Sequence, residues 1–265
     1  MQPLRISASS YSNTAPLIWS ILYGSERGKV ELILDNAPAR SAELLDTDRV
    51  AIALVPAIAS QLIDDVKLVP DVCVGARERV RSVCLVTKGR ELDQIKSVSL
   101  DTSSRTSAAL TKIFFREFLR SEPVWQDADP NIENMLEVSD AALLIGDPAL
   151  QLWTAESDYI LFDLAQLWRK YTGLGFIFAM WMTRRDSLEI DLAAARDEGV
   201  KNIARIAANY EAEIGMSRTD LFQYLTENIS YSADEEMLAG MDLYFDLAAK
   251  HGLTPARRTV RFLPG

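Results

Sequence analysis

The chain has 265 residues, 48% hydrophobic and 25% charged, with one histidine, two cysteines and a formal net charge of −10. Such a composition suits a globular protein with a buried core and excludes a disordered chain, a disulfide scaffold and a histidine- or cysteine-based zinc site. So acidic a surface also disfavours nucleic acid and anionic membranes as partners, and a small anionic ligand would have to be held by local backbone donors and a few cations.

The N-terminus runs directly into strand-like sequence, without the basic start, apolar core and cleavage site of a signal peptide, and no apolar stretch reaches ~18 residues; a cytoplasmic protein is expected. In chain order, strands are predicted at residues 4–8, 30–34, 50–55 and 82–87, with helices between them at 14–23, 39–45 and 57–62. A second group follows: strand 98–100, helix 105–119, strand 141–145 and helices 148–154 and 164–171. Leu110, Ile113, Phe114 and Phe118 make one apolar stripe on the helix after Ser104. The run 176–183 is apolar on both faces, as a central strand would be, and is long enough to cross between lobes. Cys73 and Cys84, in apolar strand-like surroundings, read as small core residues.

The remainder is helical, with Ser217-x-x-Asp220 and Ser232-x-x-Glu235 as capping signals for the last two helices. It lacks the basic face of a DNA-reading helix. The alternation predicts an α/β protein of two lobes, residues 1–87 plus 178–265 and residues 88–177, with the ligand cleft between them.

Three short segments share one design, in which a strand-like run ends in small polar residues and a helix begins: Ser10 to Leu17, Asp101 to Ser107 and Ile145 to Leu150. Helix N-termini present unpaired N–H groups and about half a positive charge, so each segment is a candidate anion cradle as well as an ordinary N-cap. The sole histidine, His251, precedes Gly252 at the end of the last helix, where it reads as an end cap. No nucleophile elbow, phosphate loop or dinucleotide fingerprint occurs, so no cofactor is expected.

Ser12-Asn13-Thr14-Ala15-Pro16-Leu17, Ala53-Leu54-Val55-Pro56, Val80-Arg81-Ser82-Val83, Asp101 to Ser107, Leu144 to Leu150, and Asp163-Leu164 with Trp168 to Leu174 and Phe176 to Trp181 run in order along the chain. Together they resemble the chorismate dehydratase family of the futalosine route to menaquinone. The resemblance implies a type 2 periplasmic-binding-protein-like fold and a small dicarboxylate substrate, chorismate. Residue by residue, it implies that Asn13 and Ser82 are catalytic and that Ser12, Thr14, Ser104, Arg105, Thr106, Gly146 and Asp147 bind substrate, with no metal. Ser12 stands where the family has a larger apolar residue.

Arg81 and Arg105 fit either a substrate carboxylate or an ion pair elsewhere. The matched motifs offer no evident general base apart from Asp147, and the substrate's own enolpyruvyl carboxylate is the expected proton acceptor. Two other functions compete with this one. A 1,4-dihydroxy-6-naphthoate synthase would need a cleft histidine, and a solute-binding protein would need an export signal or anchor.

Overall fold

Residues 3–264 are described in the computed structural model of the chain. Among them, ten strands form two five-stranded sheets. The strands are β1 (Leu4–Ser9), β2 (Val30–Asp35), β3 (Ile52–Pro56), β4 (Lys67–Ala76), β5 (Val83–Lys88), β6 (Ser97–Asp101), β7 (Val124–Ala128), β8 (Ala141–Ile145), β9 (Tyr159–Asp163) and β10 (Phe176–Thr183). The first sheet has the order β2-β1-β3-β10-β4 and the second β7-β6-β8-β5-β9. Strands β1, β2 and β3 run parallel, as do β6, β7 and β8, so the carboxyl ends of β1, β3, β6 and β8 open into loops that lead to helices. Such strand ends are where open α/β sheets bind ligands.

Strand β10 fits its two-faced apolar sequence. It lies between β3 and β4, antiparallel to both, with Met180 opposite Val55 and Cys73. It does not cross between the sheets, however, but belongs wholly to the first. The return crossing is made by Gly173 to Gly175, where Gly173 (φ +74°) ends the Leu164–Thr172 helix.

The strand expected at 82–87 also falls on the other side of the predicted division. Residue Cys84 pairs with Leu144 and Asp163, which puts β5 inside the second sheet and moves the outward crossing to residues 77–82. Three strands were not anticipated. Two of them, β7 and β9, are half-exposed edge strands, and β4 is an edge strand interrupted by Pro70 and by Asp71 at φ +54°. Proline and bulges belong at sheet edges, and they mask the alternation that would reveal a strand.

The long helix expected from Arg105 is α-helical to Ile113 and continues as a π-helix over Phe114–Leu119. Ser217 caps its helix as expected, but the last helix, Glu235–Lys250, is capped by Asp234, because Ser232 instead accepts a hydrogen bond from Arg196. Cys73 and Cys84 are free and fully buried. No helix among the described residues is long and apolar enough to cross a membrane.

The last helix packs where the chain re-enters the first sheet. Tyr244 meets Trp168 and Phe176 edge-on, and a Cβ on Gly240 would collide with the Gly175 carbonyl, itself the acceptor for the Trp168 indole N–H at 3.2 Å. Gly240→Ala should therefore force the helix off this crossing. A fall of about 1–3 kcal/mol in unfolding free energy is expected, the usual cost of overpacking, and urea unfolding would measure it. Unchanged stability would show that the helix contact yields.

Candidate active site

The three polar segments converge. A cleft between the sheets is walled by Ser9 at the end of β1 and Tyr11, Asn13 and Thr14 just after it, by Ser104 and Ser107 at the start of the Arg105–Ile113 helix, and by Ile145 at the end of β8 with Gly146 after it. Ser82 of the outward crossing, Val83 of β5 and Phe178 and Ala179 of β10 complete much of the lining, around about 480 Å³ of atom-free space, its mouth included. No Lys, Arg, Asp, Glu or His stands among the lining residues.

Asn13 and Ser82 meet across the cleft. The Asn13 Nδ2 donates to Ser82 Oγ at 3.4 Å, joining the first-sheet loop to the crossing segment. Asn13 does not cap the Ala15–Tyr23 helix: Thr14 holds the cap position, and no side-chain cap bond is made there. The Thr14 hydroxyl instead contacts Asn13 Oδ1 at 3.3 Å and Ser9 Oγ at 2.8 Å, which orients the amide.

Ser82 is set by its backbone. The Asp163 carboxylate accepts from Val80 N–H (3.2 and 3.0 Å), Arg81 N–H (2.6 Å) and Gln166 N–H (3.1 Å), and Gly146 N–H donates to Ser82 O at 2.8 Å. Arg81 is thereby held at φ +61°, a left-handed conformation that costs free energy outside glycine and persists when its surroundings over-determine it. Asp163 belonged to the sequence motif, but its anchoring role needs the fold to be visible.

Ser12 and Asp147 clasp each other instead of facing the ligand space. Both Asp147 oxygens accept from Ser12 N–H, at 3.2 and 3.1 Å, and the Ser12 hydroxyl donates to one of them. Ser12 follows β1 and Asp147 follows β8, so the clasp ties one sheet's loop to the other's. Beside it, the Tyr11 ring covers Gly146, whose φ of +66° and lack of a side chain are both required: a Cβ there would lie 2.7 Å from Tyr11 Cζ. Tyr11 is one of the lining residues that the sequence reading did not assign to the site, and burial pushes its phenol up to about 12.

Two expected binding residues lie elsewhere. The Thr106 hydroxyl accepts from Ile58 N–H at 3.2 Å and its carbonyl from the Tyr244 hydroxyl at 3.0 Å, so Thr106 is fully buried in the contact between the lobes. Arg105 is exposed on the first turn of its helix and pairs with Glu43 at 3.5 Å. Arg81 is also absent from the walls, and burial together with the Arg79 cation lowers its pKa. His251 caps the last helix and contacts Glu117 at 2.8 Å, away from the lining residues. Among the described residues, no group of three or more His, Cys, Asp or Glu side chains is gathered for a metal ion.

The family described as menaquinone biosynthesis matches residues 4–250. The chain is 30% identical to the chorismate dehydratase of Thermus thermophilus, over 92% of this chain and 94% of that protein. Among solved structures it is similar to a protein of Archaeoglobus fulgidus (TM-score 0.69, 18% identity, 95% of this chain and 98% of that one). It is also similar to the periplasmic aliphatic sulphonate binding protein SsuA of Escherichia coli (TM-score 0.65, 15% identity, 100% and 94%). At these identities the structural likenesses show the fold, a two-lobed periplasmic-binding-protein-like architecture.

The clasp has a pH signature. Burial raises the Asp147 carboxyl from 3.8 to about 6 and outweighs the Ser12 donors, which pull it down. Since the folded value lies above the unfolded one, folding takes up a proton between about pH 4 and 6; the resulting stability is complete below about pH 4 and lost as pH rises through about 6. Asp147→Asn does not titrate there. The melting temperature of wild type minus that of the variant should therefore be larger at pH 4 than at pH 7, and a difference independent of pH would place the titration of Asp147 outside this window.

Proposed function

The chain belongs to the menaquinone biosynthesis family, and from that premise we propose that it is a chorismate dehydratase, a hydro-lyase forming 3-[(1-carboxyvinyl)oxy]benzoate and water. The reaction removes the ring hydroxyl and the hydrogen on the carbon that bears the enolpyruvyl ether. Aromatisation of the ring drives it. The protein's task is to fix one substrate conformation, suppress rearrangement and pyruvate loss, and assist removal of one proton.

The observation that carries this reading is the Asn13–Ser82 contact across an uncharged cleft. Chorismate carries two carboxylates, and hydroxyls with helix-end N–H groups can hold them without a cationic wall. Ser104 begins the nine-residue Arg105–Ile113 helix and lines the cleft with Ser107, offering such an end. Asn13 would orient the substrate and stabilise developing negative charge, while Ser82 would hold a carboxylate or the departing hydroxyl.

The clasp bears on the choice of base. Asp147 turns both oxygens to Ser12 and stands outside the lining. A proton acceptor on the substrate itself, its enolpyruvyl carboxylate, fits such walls. A synthase dependent on a cleft histidine does not, since His251 lies against Glu117.

Purified protein incubated with chorismate, without added metal, nucleotide or flavin, should yield 3-enolpyruvyl benzoate identifiable by mass and NMR. A folded sample that binds chorismate without turning it over would overturn the proposal. Ser82→Ala should lower kcat/KM by about tenfold to a hundredfold, the worth of one hydrogen bond to a charged group, with His251→Ala near wild type. Asn13→Asp keeps the side chain's size but sets a carboxylate beside a dianion; turnover should fall at least about a hundredfold, as on loss of an oxyanion donor, while the melting temperature holds. Loss of activity in the His251 variant without unfolding would contradict this assignment of roles.

A further inference from the structure

Tyr224 opens the π-helical turn Tyr224–Asn228, directly after the Arg218–Gln223 helix. The residue is completely buried, and its hydroxyl lies against the side chains of Ser82 and Asn13 without forming a well-made hydrogen bond to either. A buried donor without a partner is costly, and native proteins retain few. The Ser82 hydroxyl is loosely held as well: besides the 3.4 Å contact from Asn13, its remaining partner is Val80 O at 3.5 Å. An orphan donor thus sits behind an under-constrained hydroxyl that faces the cleft. π-Helical turns are frequent at functional sites.

Building on the dehydratase reading, we infer that Tyr224 is a positioning residue for that reaction, its O–H donating to Ser82 Oγ in the substrate complex so that the Ser82 proton is aimed at a substrate oxygen. No proton changes owner in this chain of two hydroxyls. Donation from Tyr224 occupies a lone pair of Ser82, excludes the rotamer in which Ser82 donates back, and polarises its O–H towards the ligand. Burial pushes the Tyr224 phenol well above its ordinary value, so the donor stays protonated throughout the working range. Tyr231 supplies a matched control. It too is buried with an unpartnered hydroxyl, but it neighbours Tyr224 and not the Asn13–Ser82 pair.

The test compares Tyr224→Phe, Tyr231→Phe, Ser82→Ala and the Tyr224→Phe/Ser82→Ala double variant by kcat, KM and melting temperature on chorismate. Tyr224→Phe keeps the ring and removes only an unpaired hydroxyl, so its melting temperature should not fall. Its kcat should drop about tenfold with KM within about threefold, the pattern of an interaction made in the transition state, and Tyr231→Phe should match wild type. In the double variant the loss should be no greater than in Ser82→Ala alone, because the two residues act through one hydrogen bond. A Tyr224→Phe enzyme with wild-type kcat, or losses that multiply in the double variant, would overturn the role. A wild-type protein inactive on chorismate would overturn the dehydratase reading and this role with it, whereas active wild type beside an unaffected Tyr224→Phe variant overturns the role alone.

Discussion

The carboxylate of Asp163 is sealed from water, and the N–H groups of Val80, Arg81 and Gln166 close around it. Desolvation outweighs those donors and leaves its pKa raised, so the arrangement gives up solvation to obtain shape. What it shapes is the outward crossing between the sheets. Holding residues 80 and 81 this way keeps Arg81 left-handed and delivers Ser82 to the cleft, where Asn13 reaches it from the opposite loop. Asp163 also caps the Leu164–Thr172 helix, whose Trp168 underpins the return crossing at Gly175. Both passages of the chain between the lobes are therefore referred to the same side chain, and the site lies between them.

A dianionic substrate in a protein of net charge −10 is not a contradiction at this scale. Beyond roughly 8 Å, physiological salt screens the repulsion from surface carboxylates. Within the cleft the walls are uncharged, so the decisive terms are local hydrogen bonds in a partly desolvated space, where they count for more than in water. Such a site gains little from long-range steering but favours geometry. Hydroxyls and amides can be placed to hold one conformer of the substrate and to leave a competing one unpaired, the arrangement that gives polar sites their discrimination.

Part of the candidate site was legible in the sequence because some of its lining residues are short polar side chains placed just after apolar strands, a pattern that burial alone does not explain. Asn13, Ser82, Ser104 and Gly146 all proved to be lining residues. Thr106 was misplaced because a hydroxyl on the first turn of a helix can face the ligand or the neighbouring lobe, and local sequence does not say which; here Ile58 N–H takes it. Ser12 and Asp147 are 135 positions apart, so their clasp exists only once two sheets are docked. The same holds for Tyr224, an apparently ordinary aromatic in an amphipathic tail. Among the elements, the unanticipated strands β4, β7 and β9 all lie at sheet edges, where exposure and proline erase the buried alternation that makes a strand readable.

The contacts that join the lobes differ in kind, and this sets which of them can open. Around the cleft they are largely polar, Ser12 with Asp147, Asn13 with Ser82 and Ala39 N–H with the Ser103 carbonyl, beside the Tyr11 ring on Gly146. Near the return crossing they are aromatic and buried, with Trp168, Phe176 and Tyr244 edge to edge and Tyr244 bonded to Thr106. Water can replace the partners of the first set at small net cost, since hydrogen bonds are exchanged and not lost. Exposing the second set would uncover large apolar rings with no such compensation. Of the two sets, the polar contacts around the cleft are therefore the cheaper to part and the aromatic ones the costlier.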